Sequence, residues 1–298
     1  MKLTGLIPAV FTPFDKAGAL NLERIAPYAE RLIADGADGV FVCGSTGECT
    51  SMTVAERKQV LEAWHAAAAG RIRIIAHVGG TCQRDCVELA RHAAGIGVDA
   101  VGAIAPFYFK PARVEELVEF YEPIADAVAP IPFYTYHMPS VTGVHLPMKE
   151  FLEKGSRAMP NLNGIKFTSN DFMEMLECLR LEEGRFDILN GFDEMLLCGL
   201  ATGARGGVGS TYNYALATYR GICDAFFAGD LELARKYQQE SVELVRVIIR
   251  HGGGVRGGKA IMNLLGLDCG DCRLPFAPYT DEEMQTLADE LRRIGFIR

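Results

Sequence analysis

The segment LNGIKFTSND, residues 162–171, places one lysine, Lys166, inside an apolar run. Leu162, Ile165 and Phe167 flank it as residues of a buried strand do. An ammonium ion is costly to bury without compensation. Either the stem packs in the core while the amine meets a carboxylate, or desolvation keeps the amine partly neutral and nucleophilic.

Seven further β-rich runs surround this one: GLIPAVFTPF (5–14), DGVFVCGST (38–46), RIRIIAHVGG (71–80), DAVGAIAPFYF (99–109), IPFYTYHMP (131–139), FDILNGFDE (186–194) and GARGGVGST (203–211). Between them lie patterns such as NLERIAPYAERLIADG (21–36) and RVEELVEFYEPIADAV (113–128), with apolar residues every three or four positions. Near-continuous apolar strands separated by amphipathic helices predict a parallel sheet covered on both faces. Eight such units before about residue 212 predict closure into a (β/α)₈ TIM barrel. An open doubly wound sheet is the other arrangement, but no Gly-rich dinucleotide fingerprint follows the first strand.

After residue 212 the strand signal stops. The chain divides on this reading into a barrel, residues 1–212, and a C-terminal helical extension packed on it, residues 213–298. Thr280, with acids in the turn after it, marks the start of a last helix. HGGGVRGGKA (251–260) lacks the Ser/Thr and strand context of a P-loop and reads as a hinge into a helix.

The chain has 298 residues, 49% of them hydrophobic, enough for a large core. A net charge of −8 gives no hint of the basic face of a nucleic-acid binder. Pro8 and Pro13 interrupt the N-terminal apolar residues, which read as a first strand and not a signal peptide. No apolar run reaches the roughly 18–20 residues of a membrane helix. Nine scattered cysteines suggest reduced thiols and a cytoplasmic location.

In such barrels the reacting groups stand at the C-terminal ends of strands and in the loops that follow. Those positions hold Ser45 and Thr46, Tyr108, Tyr136 and His137, Lys166 and Thr168, Gly191, Asp193 and Glu194, and Ser210. Lys166 is placed to attack a ketone as a Schiff-base amine. GSTGE, residues 44–48, offers hydroxyls and backbone N–H groups to a carboxylate, although the short string also suits an ordinary turn. Tyr136 has the phenol of a proton-transfer group, although a strand-end tyrosine taken alone is more often core or rim. CGDC (269–272) has half the spacing of a zinc site but no second pair, and the six histidines show no HExxH or HxH pattern.

GSTGE (44–48), YHMPSVTG (136–143) and GIKFTSND (164–171), in that order, resemble the dihydrodipicolinate synthase/N-acetylneuraminate lyase family of class I aldolases. The resemblance covers nearly the whole chain. It implies a homotetramer in which Lys166 forms the Schiff base with pyruvate and Ser45 and Thr46 bind its carboxylate. It also implies that Tyr136, hydrogen-bonded to Ser45 or Thr46, moves the proton, and that Tyr108 serves a neighbouring subunit's site. The synthases of the family usually carry an arginine at the place of Val141, for an anionic second substrate. NGFDEMLLCGLATGARGGVGSTYN (190–213) is instead similar to the sialate lyases, which implies that Asp193, Glu194 and Ser210 grip sugar hydroxyls beside Gly191 and Thr168. The implied activity is reversible cleavage of N-acetylneuraminate to N-acetylmannosamine and pyruvate, with no metal or organic cofactor. The rival readings are an aldolase for a 2-keto-3-deoxy sugar acid and a non-catalytic sugar-acid-binding barrel.

Overall fold

The computed structural model describes residues 2–298. In chain order it contains β1 (Gly5–Pro8), α1 (Ile25–Ala34), β2 (Gly39–Val42), α2 (Val54–Ala68), β3 (Arg73–His77), α3 (Gln83–Ile96), β4 (Ala100–Ile104) and α4 (Val114–Asp126). There follow β5 (Phe133–His137), α5 (Pro139–Thr142), α6 (Met148–Ala158), β6 (Leu162–Phe167), α7 (Phe172–Arg180), β7 (Asp187–Asn190), α8 (Leu196–Thr202) and β8 (Gly206–Gly209). The chain ends in α9 (Tyr212–Phe227), α10 (Leu231–Arg250), α11 (Gly253–Leu264) and α12 (Asp281–Arg293).

All eight strands are parallel; from β2 to β8 each pairs with the next in sequence, and β1 pairs with β8. The remaining seam closes through a parallel bridge between Ala9 and Phe41, where the Val10 N–H donates to the Phe41 carbonyl at 3.2 Å. The result is the (β/α)₈ barrel predicted from the alternation of strands and helices.

Two apolar clusters explain why the strands carry so little polar alternation. Ile7, Phe41, Ile75, Ile104, Tyr134, Tyr136, Leu189 and Val208 fill the barrel interior. Phe133, Ile165 and Phe167 belong to the larger cluster between strands and helices. Side chains alternate across a strand, so Ile165 and Phe167 point outward to the helices. Lys166, between them, points into the barrel.

Helix α9 leaves β8 directly and packs on β1 and α8. Helices α10, α11 and α12 carry no strands between them. The glycine run is a hinge only at Gly252 and Gly253, both left-handed at φ 89° and 80°. Gly257 and Gly258 lie inside α11, where a Cβ on Gly258 would meet the Phe11 ring at 2.8 Å. Glycine there lets α11 approach the rim of the barrel. The last helix starts in the expected capping box, Thr280 with Glu283.

Lys166 is positioned by the glycine two residues before it. Gly164 lies between Tyr134 of β5 and Asp187 of β7. A Cβ at this position would sit 1.8 Å from the Asp187 carbonyl oxygen, which is backbone and cannot move alone. Gly164→Ala should therefore lower stability by at least about 3 kcal/mol or prevent folding. Thermal unfolding of the purified variant checks this, and an unchanged melting temperature would contradict the registry described for β6.

Candidate active site

Lys166 sits beside Tyr136 of β5 and Leu189 of β7 in the sheet register, below the C-terminal rim. Only 6% of it is exposed. Its Nζ lies 4.0 Å from the centre of the Tyr136 ring and 4.6 Å from that of Phe41. Aromatic faces attract a cation and also stack on a planar iminium. No carboxylate pairs with Lys166 among the described residues. The reading in which the amine meets a carboxylate is thus not the one realised.

Above the lysine opens a cavity of about 240 Å³. Lys166, Tyr136, Ser45, Thr46, Thr168, Gly191, Asp193, Glu194 and Ser210 all line it, drawn from five strand ends. Thr168 falls one residue beyond β6 rather than inside it, its N–H donating to the His137 carbonyl at 2.8 Å. His137 does not line the cavity. It faces outward and stacks beside Phe167, ring centres 5.3 Å apart, and burial lowers its pKa to about 4. A larger hollow of about 540 Å³ runs along the outer helices between Arg31, Tyr214, Glu240 and Phe296, away from every strand end that carries a candidate group.

The Ser45–Thr46 turn follows β2 and is flanked by Gly44 and Gly47. A Cβ on Gly44 would press 2.7 Å from the Phe41 ring, and one on Gly47 would lie 3.1 Å from the Val10 carbonyl oxygen. Thr12 donates its hydroxyl to the Gly47 carbonyl at 2.7 Å. At the end of the turn, Glu48 accepts from Lys259 Nζ and from the Arg273 N–H, each at 2.8 Å.

Tyr136 differs from the sequence expectation in one respect. Its hydroxyl donates to Met138 Sδ at 3.0 Å and makes no hydrogen bond to Ser45 or Thr46. A thioether is a weak acceptor, so this phenol is readily handed to a better oxygen acceptor.

The acids at the end of β7 are unequal. Asp193 is 5% exposed, and its Oδ2 accepts from the Thr211 N–H at 2.8 Å and the Thr211 hydroxyl at 2.6 Å. The Thr211 hydroxyl is also 2.6 Å from the Tyr219 hydroxyl, which donates to it in turn. The other Asp193 oxygen is buried with no partner. Burial raises the Asp193 pKa to about 6 against the opposing Thr211 bonds. Glu194 is half-buried, has no ion-pair partner among the described residues, and its pKa is also raised by burial. Thr168 adds a buried hydroxyl with no partner. Gly191 is obligatory beside it, because a Cβ there would fall 1.9 Å from Thr168 Oγ1. Asp193 Oδ1 and Thr168 Oγ1 are thus two buried oxygens, on residues that line the cavity, which the protein leaves without a hydrogen bond.

Several lining residues escaped the sequence reading. Thr211 directly follows Ser210, and only its register against Asp193 shows that it holds the acid. Val245, Ile248 and Ile249 of α10 form an apolar wall of the cavity, together with Gly254 of α11. Helical periodicity explains those residues as packing and gives no signal that they face a site. Tyr108, expected to serve a neighbouring subunit's site, does not line the cavity of its own chain. It is 77% exposed and stacks edge-on against Phe109, which is 86% exposed. Among the described residues no group of three or more His, Cys, Asp or Glu is placed to hold a metal ion, and all nine cysteines are free.

Comparison with known proteins follows the geometry closely. A solved sialic acid aldolase, the N-acetylneuraminate lyase of Aliivibrio salmonicida, superposes with a TM-score of 0.96 at 42% identity, over 100% of this chain and 99% of that one. The Proteus mirabilis N-acetylneuraminate lyase gives 0.96 at 39% identity over the full length of both chains. The N-acetylneuraminate lyase of Gallus gallus is 39% identical over 94% of this chain and 92% of its own length. The model of the dihydrodipicolinate synthetase family matches residues 2–294, and on that match and these relatives the chain belongs to this family.

Proposed function

We propose that the protein is a Schiff-base aldolase that reversibly cleaves N-acetylneuraminate to N-acetylmannosamine and pyruvate. The carrying observation is Lys166, an ion-pair-free lysine on the wall of a cavity that also presents Asp193, Glu194 and Ser210. The names of the relatives support the same substrate.

The residues divide the work by position. Ser45 and Thr46 hold the substrate carboxylate with hydroxyls and N–H groups. Lys166 Nζ adds to the C2 ketone, water leaves, and a protonated imine forms. Tyr136 takes the proton of the C4 hydroxyl as the C3–C4 bond breaks. The iminium receives the electron pair and becomes an enamine, releasing the aldehyde of N-acetylmannosamine. Protonation at C3 and addition of water return the free lysine and pyruvate. Nothing in this sequence requires an organic cofactor or metal. On binding, the Tyr136 hydroxyl leaves Met138 and donates to Ser45 or Thr46, which passes a proton on to the substrate carboxylate, so the phenol oxygen is free to accept the C4 proton, and the same relay in reverse supplies the proton at C3.

Asp193 and Glu194 accept hydrogen bonds from the polyol tail, with Ser210, Thr168 and the Gly191 backbone beside them. Paired carboxylates repel an anionic tail, which disfavours a short sugar diacid. Val141, 65% exposed on α5, offers no cation for a second carboxylate. A non-catalytic barrel would not need both the lysine and the phenol.

The exposed pair Tyr108 and Phe109 supports a homotetramer in which Tyr108 reaches a neighbour's cavity. Nine unpaired cysteines fit a reducing cytoplasm. No helix among the described residues is long and apolar enough to cross a membrane. For the chain as a whole we place the barrel on residues 1–212 and the helical extension on 213–298. Helix α9 then completes the outer ring from the extension's side of that boundary.

Incubation with pyruvate and borohydride should add one reduced pyruvyl group per chain, located by peptide mass spectrometry at Lys166. Lys166→Ala should lose both adduct and turnover. An adduct elsewhere, or an active variant, rules the mechanism out.

Glu194→Ala removes an acceptor with little other structural duty. The lost hydroxyl contact should lower kcat/KM for N-acetylneuraminate by roughly one to two powers of ten. Pyruvate trapping at Lys166 should survive. Asp193→Ala should cost at least as much, because it also strands Thr211. Wild-type enzyme should condense pyruvate with aspartate semialdehyde far more slowly than it cleaves sialate; the reverse order would refute the substrate assignment.

Sedimentation at assay concentration should give a tetramer. A fully active monomer would show that Tyr108 has no part in a shared site.

A further inference from the structure

The Ser45–Thr46 turn is bounded by two non-glycine residues in the left-handed region, Cys43 at φ 58° and Glu48 at φ 55°. Such conformations persist only where the surroundings over-determine them. The Glu48 end is tied by Lys259 and Arg273. The Cys43 end is tied by a residue that does not line the cavity, His77, the last residue of β3.

His77 Nδ1 lies 2.8 Å from the Cys43 carbonyl oxygen, and Nε2 lies 3.2 Å from the Ile104 nitrogen. A carbonyl only accepts and an amide N–H only donates, which assigns the neutral Nδ1–H tautomer. The residue is 3% exposed. Burial holds its pKa well below the usual histidine value, and the charges of Arg57 and Lys166 act in the same direction. The imidazole thus bridges the ends of β2 and β4 from its place on β3.

Its surroundings leave it no alternative position. Arg57 donates to the His77 carbonyl at 2.8 Å and to the Gly79 carbonyl at 3.1 Å, fixing the backbone on both sides of Val78. A Cβ on Gly79 would come within 3.0 Å of Nε2. The ring centre is 5.6 Å from Phe41 and 6.0 Å from Tyr136, the two rings that face Lys166.

We infer that His77 is a positioning residue for the carboxylate end of the substrate: its Nδ1–H bond to the Cys43 carbonyl sets the strained turn that presents Ser45 and Thr46. This rests on the proposed assignment of those two residues to the keto-acid carboxylate. His77 touches no substrate and moves no proton.

The two bonds of the ring are separable by substitution. The asparagine amide nitrogen occupies about the place of Nδ1, so His77→Asn keeps the donor to Cys43 and loses the acceptor for Ile104. The glutamine terminal amide reaches about the place of Nε2, so His77→Gln keeps the acceptor and loses the donor. The readout is borohydride trapping of pyruvate at Lys166 as a function of pyruvate concentration. His77→Gln should raise the half-saturating pyruvate concentration about tenfold, the equivalent of one lost hydrogen bond. Its limiting trapping rate should stay within about threefold of wild type, and His77→Asn should stay within about threefold in both quantities, a spread smaller than one hydrogen bond. A merely structural histidine would make the two variants fail together in rate and affinity alike. Wild-type concentration dependence in His77→Gln, or a tenfold loss in His77→Asn, overturns the inference. If His77→Gln melts below the assay temperature, His77→Asn alone decides by the same thresholds. A wild-type enzyme that traps no pyruvate overturns the proposed function instead, and does so before either variant is made.

Discussion

Two lysines lie inside this protein, and the difference between them organises the site. Lys259 Nζ meets Glu48 Oε1 at 2.8 Å with both side chains 1% exposed, and it also donates to the Asp271 carbonyl at 3.0 Å. Phe14 lies between this lysine and Arg273, each cation within 4.3 Å of its ring centre. Breaking one partner of such a pair costs about 3–5 kcal/mol, because the remaining charge is stranded. Glu48 ends the turn that carries Ser45 and Thr46, and Lys259 lies on α11. The turn and the C-terminal helices therefore cannot be ordered independently. Lys166 has no such partner. It is buried against aromatic faces with an open cavity above it, so its amine remains available for chemistry.

This contrast also marks what the sequence made legible. LNGIKFTS exposed Lys166 because a cation interrupts an apolar strand in a period-2 setting. Lys259 follows two glycines in a helix and gave no comparable signal, although it is the more deeply buried. The barrel was readable because strand and helix periodicities alternate cleanly and each strand is apolar on both faces. That residues at several strand ends line one cavity was readable for the same reason, since a parallel barrel brings all C-terminal ends to one rim. Long-range partnerships were not. The Thr211 bonds to Asp193, the His77 bridge and the α10 wall depend on register between distant segments, which local pattern does not encode. The Tyr136 hydroxyl was expected on Ser45 or Thr46 and lies on Met138, two residues away. A flexible thioether that can fold back on its own strand end has no signature in sequence.

Polarity along the cavity supplies an orientation. One side presents the glycine-flanked hydroxyls of Ser45 and Thr46 next to the Lys166 cation. The other presents Asp193 and Glu194, both pushed by burial toward the neutral form. An anionic carboxylate is stabilised on the first side and repelled on the second. A neutral polyol reverses neither preference and gains acceptors only at the acids. On the proposed function, a keto acid with a hydroxylated tail therefore has one favourable direction of entry, with its ketone delivered over Lys166.

The same arrangement sets opposing influences on the Asp193 carboxyl. Asp193 already receives two Thr211 hydrogen bonds on one oxygen, which favour its charged form, while desolvation opposes it. With its pKa raised to about 6, it is mostly ionised near neutrality and protonated under acid conditions. Its remaining oxygen is buried against Gly209 and has no protein partner. Protonation converts that group to a donor and removes an acceptor from the acid side of the cavity. Lys166 also lowers the Asp193 pKa, so the acid side of the cavity is electrostatically linked to the lysine side.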